Sequence, residues 1–198
     1  MLYWYKQMCV RITHELSKAA HKKKMEDIDM VCIGVIGAME EEVSSLIQQM
    51  EDAESKTLAG MTFYHGTLWN QQAVVVKSGV GKVNMAVCTQ ILVDVYEVDM
   101  VINTGVAGGL YKDINVGDIV ISSDALQHDF DVTGLGYERG VIPDLPVSIF
   151  QADTEMVEMA KEACEIVNPE IQCFVGRVVT GDQFISDNDK KKELVETF

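Results

Sequence analysis

The chain has 198 residues, 47% hydrophobic and 24% charged, with 31 acidic against 16 basic side chains and a net charge of −15. That balance has room for a core and excludes a disordered chain, and no apolar run approaches the ~20 residues of a membrane span. A chain this acidic repels phosphate backbones, which sets nucleic-acid binding aside.

Residues 1–24 stand apart from the rest of the chain. They carry Lys6, Arg11, Lys18, Lys22, Lys23 and Lys24 against a single acid, Glu15, which leaves the remainder at −20. They lack the continuous apolar stretch of a secretory signal, and a mitochondrial transit peptide would hold more Arg and Ser. They are read as a basic N-terminal extension, with Met25 or Met30 as the natural start. The alternative is a short basic helix docked on the acidic part. Residues 25–198 are read as one domain.

Val31–Ile36 is apolar at nearly every position, the pattern of a strand buried on both faces. Gly37-Ala38 breaks it, and Val43, Leu46, Ile47 and Met50 fall at helical spacing, so a helix is expected over Glu40–Met50. Strands are expected at Met61–Leu68 and Ala73–Lys77, separated by a turn at Asn70-Gln71-Gln72. After the bend Ser78-Gly79-Val80-Gly81, Val83, Val87, Ile91 and Val95 mark a helix over Val83–Val95. Met100–Ile102 and Val116–Ser122 read as strands. His128–Leu145 is polar and holds Pro143, with Pro146 just beyond it, which predicts a long ordered loop of functional weight. Thr154–Val167 reads as a helix with Met156, Val157, Ala160, Ala163 and Cys164 in its stripe. Gln172–Thr180 reads as a strand, and a last helix begins at Lys190.

Strands alternating with helices predict a layered α/β fold. Gly37, Gly79, Gly81, Gly105, Gly108 and Gly181 all follow strands. In an open α/β sheet such strand ends gather on one side and form the ligand crevice. The five cysteines (Cys9, Cys32, Cys88, Cys164, Cys173) form no C-x-x-C pair, so neither a disulfide framework nor a zinc ribbon is indicated, and a reducing cytoplasm is. Cys32 and Cys88 are expected in the core.

Ser78–Lys82 lacks the spacing of a phosphate-binding loop, and Val83 replaces its metal-binding hydroxyl. His128-Asp129-x-Asp131 is read as a loop network rather than a metal pair, since only His65 is left as a further imidazole ligand in the domain. Glu40, Glu41 and Glu42 open the first helix, where the dipole favours acids. Glu41 points farthest from the apolar stripe. Either Glu40 or Glu42 can reach the crevice, and periodicity does not choose between them.

The segments I-G-A-M-E-E-E-V, K-S-G-V-G-K, N-T-G-x-A-G-G, V-G-D-I-V, H-D-x-D-V-T and G-D-x-F-I occur in one order. Together they resemble the 5′-methylthioadenosine/S-adenosylhomocysteine nucleosidases of the purine nucleoside phosphorylase-like superfamily, over about Val31 to Phe198. The resemblance implies an α/β/α sandwich around a mixed sheet. It implies hydrolysis of the adenine–ribose bond of both nucleosides, in methionine salvage and nucleoside catabolism, with no cofactor and no metal. It gives Glu42 as the base for the attacking water and Met39 as part of its pocket. Ala107 and Gly108 would approach the nucleoside by backbone, Phe184 would stack on adenine, and Ile185 would hold it through the main chain. The family forms homodimers, and Leu135 and Pro143 stand where a neighbouring subunit closes the alkylthio pocket. Leu135 replaces a common aromatic, and Val106 a frequent serine. The family's ribose-gripping Met-Glu and adenine-protonating Ser-Asp come later in its chains. This sequence reaches Phe198 without either, so the domain is expected to be incomplete at its C-terminus, and neither Asp182 nor Asp187 takes those roles. The competing expectations are a nucleoside-binding or inactive paralogue, a phosphorylase, and a futalosine-type nucleosidase.

Overall fold

The computed structural model describes residues 31–198, so the expectations for the basic extension and the start codon lie outside the described residues. The chain divides into two compact units, one ending at Val106 and the other spanning Ala107–Phe198. Among the described residues no helix is long and apolar enough to cross a membrane.

The first unit is built on a five-stranded mixed sheet. Its strands are β1 (Cys32–Gly37), β2 (Glu51–Leu58), β3 (Met61–Leu68), β4 (Gln71–Lys77) and β5 (Met100–Asn103), ordered β2-β3-β4-β1-β5. β1 lies between β4 and β5 and is parallel to both, which explains its unbroken apolar run. Helix α1 (Glu40–Ile47) brings Val43 and Leu46 to one face of the sheet, against Ile33, Val35 and Val75. Helix α2 (Lys82–Tyr96) brings Cys88 and Leu92 to the other, against Ile36, Val74 and Val76. This is the expected α/β/α layering.

Several local expectations change. The turn between β3 and β4 is Trp69-Asn70, with φ of +52° and +63°, and Gln71 and Gln72 belong to β4. Two left-handed residues match the twist of a two-residue hairpin. Gln71 is buried, and its Nε2 donates to the Val31 carbonyl at 2.8 Å. β2 is a strand that apolar patterning does not mark: it is a largely exposed edge, rich in acid and paired only with β3. Helix α1 stops at Ile47, short of the expected Met50. In α2 the valines that mark the helix by spacing are not its core face. Val83, Val87 and Val95 are exposed, while Cys88 and Leu92 are buried. Cys88 is a core residue as expected; Cys32 is half-buried beside the same cluster.

The second unit holds β6 (Ile119–Gln127), β7 (Phe150–Gln151) and β8 (Cys173–Thr180), ordered β7-β6-β8. β8 runs parallel to β6 and β7 antiparallel, so this sheet is also mixed. β6 starts three residues later than expected and runs on to Gln127, because Gly117, at φ +105°, turns the chain before it. Helix α3 (Thr154–Val167) matches its predicted span and is capped by Asp153, which accepts from the Met156 N–H. Helix α4 (Asn188–Thr197) is capped by Asp187 and buries Leu194.

Candidate active site

The C-terminal ends of β1, β4 and β5 meet at one edge of the first sheet, because the three strands are parallel. The Ser78 N–H donates to the Gly37 carbonyl and the Thr104 N–H to the Ile36 carbonyl, both at 2.9 Å. The Ser78 hydroxyl donates to the Gly79 carbonyl at 2.9 Å, so the serine-glycine bend is an internally bonded turn.

Glu42 lies in the mouth formed by these ends. Only 6% exposed, it is one of the few buried polar residues of the unit. Its Oε2 accepts from the Ala38 and Met39 N–H groups at 2.7 and 3.0 Å. Its Oε1 accepts from the Val106 N–H at 3.2 Å, across 64 residues of chain. Two glycines make this placement possible. A Cβ on Gly37 would lie 2.7 Å from Val43 Cγ1 and 2.9 Å from Glu42 Cβ. A Cβ on Gly105 would lie 3.1 Å from Glu42 Oε1.

The choice that helical periodicity left open is thereby made. Glu40 is exposed and pairs with Lys77 at 3.1 Å, while Glu41 faces solvent. Part of the geometry at Glu42 is what any acid in a helix's first turn does, since Oε2 reaches back to the N-cap N–H. The third donor is not. Val106 belongs to another segment, and its N–H brings the carboxylate to the strand-end junction rather than to the helix axis.

Met39 sits at the N-cap of α1 and is half-buried. Met39 and Glu42 are thus brought together with Gly105 and Val106 in the first unit. Sequence reasoning counted Gly105 only as a strand break. The backbone role of Val106 leaves no mark in a side-chain pattern.

The other predicted residues lie in the second unit. Ala107 and Gly108 are exposed, and the space where a Gly108 side chain would project is open. Phe184 is 94% exposed, and Ile185 is half-buried. Leu135 ends a single 3₁₀ turn, Thr133–Leu135, and is exposed, while Pro143 is half-buried.

The loop after β6 is ordered by its own polar groups. Asp129 Oδ2 accepts from the Asp182 N–H at 2.8 Å, tying this loop to the turn after β8. Asp131 Oδ1 accepts from both the N–H and the hydroxyl of Thr133, at 3.0 and 2.7 Å. These bonds hold the Asp131 carboxyl below its ordinary value. Arg139 donates from Nε to the His128 carbonyl at 3.1 Å and pairs with Glu193 of α4. Asp129 and Asp131 therefore organise loops, and among the described residues no three His, Cys, Asp or Glu side chains converge as a metal site.

Known proteins share this frame. The phosphorylase superfamily model matches residues 32–198. A 5′-methylthioadenosine/S-adenosylhomocysteine nucleosidase of Exiguobacterium sp. (strain ATCC BAA-1283 / AT1b) is 42% identical over 166 residues, covering 84% of this chain and 70% of the relative. The Neisseria meningitidis nucleosidase of the same name, solved with methylthio-immucillin-A, superposes with a TM-score of 0.81 at 37% identity, over 85% of this chain and 72% of its own. A mutant futalosine hydrolase of Helicobacter pylori gives 0.79 at 29% identity, over 85% and 76%. The chain belongs to the phosphorylase superfamily and, within it, to the family of the 5′-methylthioadenosine/S-adenosylhomocysteine nucleosidases.

Proposed function

We propose that the protein hydrolyses the N-glycosidic bond of 5′-methylthioadenosine and S-adenosylhomocysteine, releasing adenine and the thioribose. The observation that carries this reading is the buried Glu42 carboxylate, held at the strand-end junction by N–H groups from two separate segments. As the bond from adenine N9 to C1′ lengthens, the sugar gains oxocarbenium character. Glu42 takes a proton from the attacking water, whose oxygen bonds to C1′, while the N9–C1′ electron pair leaves with adenine, which takes up a proton from solvent. A base fixed in place before the reaction removes much of the orientational cost of that step.

The same reading gives Met39 to the wall of the pocket around Glu42. Ala107 and Gly108 approach the nucleoside by backbone, which their exposure and the open space at Gly108 support. Phe184 stacks on adenine and Ile185 holds its edge through the main chain; an aromatic side chain left almost wholly in solvent is what a stacking platform needs before ligand arrives. The working form is a homodimer in the cytoplasm, with Leu135 and Pro143 closing the alkylthio end of the neighbour's site. The exposed Leu135, Leu145 and Val147 of the long loop support such cover. Residues 25–198 act as one functional domain, since the superfamily match runs through both units.

A phosphorylase would put phosphate where the water attacks, next to the acids that open α1. The discriminating experiment is turnover of methylthioadenosine in phosphate-free, ¹⁸O-enriched water. Adenine release with the heavy oxygen on C1′ of the thioribose is expected. A strict need for phosphate, with a sugar 1-phosphate as product, would assign the chain to the phosphorylases.

A further inference from the structure

The surroundings of the Glu42 carboxylate are unequal. Oε2 accepts two N–H groups, from Ala38 and Met39, both in the turn that opens α1. Oε1 accepts one, from Val106, and that bond is the longest of the three. Each carboxylate oxygen offers two lone-pair directions. Two donors therefore fill Oε2, while among the described residues Oε1 keeps a direction in hand.

We infer that Oε2 is the anchor and Oε1 the oxygen that takes the proton, and that Gly105 is the positioning residue that allows it. The inference rests on the base assignment proposed for Glu42 and refines it to one atom. What Gly105 supplies to the reaction is room. A methyl group at Gly105 would sit 3.1 Å from Oε1, closer than a carbon and a carboxylate oxygen rest. Oε1 has little freedom to give way. Oε2 is fixed by two bonds, and the side chain is walled by Gly37, where even a Cβ would meet Glu42 Cβ at 2.9 Å. The carboxylate would turn about its anchored oxygen, and the Val106 bond, already 3.2 Å, would lengthen first.

Glu42 also caps α1, so a purely structural role for Gly105 is the rival explanation. The two separate by distance, because the cap bonds run to Oε2, which a methyl at Gly105 would meet only at an ordinary 3.7 Å, while Oε1 would lie at 3.1 Å. The test is Gly105→Ala in the full chain, with steady-state kinetics on methylthioadenosine, thermal melting, and the ¹H–¹⁵N resonance of the Val106 amide. Positioning predicts a loss of about a hundredfold in kcat, of the order found when a reacting group is misplaced. It also predicts KM within about threefold, because the change falls on the transition state rather than on uniform binding. The Val106 amide proton should shift upfield, and melting should barely move. A lower melting temperature with unchanged kcat per folded molecule would overturn the inference, as would an unchanged kcat with the Val106 amide displaced. If Gly105→Ala does not fold, Val106→Pro removes the same N–H without adding a methyl at Gly105 and should show the same kcat loss; full activity there would overturn it too. Should the parent protein release no adenine, the proposed function fails first. The resonance arm then decides alone: a Val106 amide unmoved by both Gly105→Ala and Glu42→Gln overturns the placement of Oε1.

Discussion

Phe63 and Phe184 are the same side chain in opposite circumstances. Phe63, in the first unit, is 0% exposed and stacks on Tyr96 with ring centroids 5.3 Å apart. Phe184, in the second, is 94% exposed. The contrast extends to the units around them. The first buries apolar residues on both faces of its sheet. Among the described residues of the second, the buried apolar side chains are Leu126, Ala163, Cys164 and Leu194, while Tyr111, Val116, Leu135, Ile166 and Val175 face outward. Glu42, the proposed base, therefore sits on a packed frame, whereas Phe184, proposed to stack on adenine, is presented to solvent. Proton transfer tolerates little displacement, which suits the first arrangement.

Replacing the two phenylalanines in turn tests this contrast. Phe63→Ala should destabilise the fold by about 3–5 kcal/mol, read as a lower denaturant midpoint. Phe184→Ala should leave stability within about 0.5 kcal/mol of the parent, as for most exposed positions. It should weaken adenine binding by roughly 1–3 kcal/mol, the range for a base stacked on an aromatic ring, measured by calorimetry. A large stability loss at Phe184 with unchanged adenine affinity would make its ring a packing residue rather than a stacking platform.

A smaller effect separates the units by pH. Burial pushes the Cys88 thiol up to about 11 from an ordinary 9.0. The folded state thus keeps this thiol neutral where the unfolded chain would ionise it. Its contribution is whole below pH 9 and is lost as pH rises towards 11. In the second unit, the Thr133 hydrogen bonds depress the Asp131 carboxyl below 3.8. Its contribution is present above that value and is lost as pH falls through the depressed one. Melting curves of Cys88→Ala should flatten the alkaline limb, and those of Asp131→Asn the acid limb. The second change should be the slighter, because Asp131 is exposed and solvent-screened.

Elements with a single physical demand were legible in the sequence. β1 must be apolar on both sides, and α3 combines a clear stripe with an Asp153 cap. β2 was not, because an exposed edge strand has no buried face to impose alternation on it. The core face of α2 was hidden because valines occupy several of its sides, and the sheet selects Cys88 and Leu92. The site divides in the same way. Three acids at the start of α1 announced a carboxylate near the crevice. Which one enters it depends on room beside Gly37 and Gly105 and on an N–H 64 residues away, none of which is local to the helix.

The role proposed for Glu42 is to activate water for glycosidic cleavage. Its most direct test is adenine release from methylthioadenosine by the parent protein and by Glu42→Gln, scaled to the folded fraction in each sample. The variant's kcat should be lower by about two to four orders of magnitude, the span of general-base catalysis, with adenine still bound. Turnover by Glu42→Gln within a few-fold of the parent would contradict it.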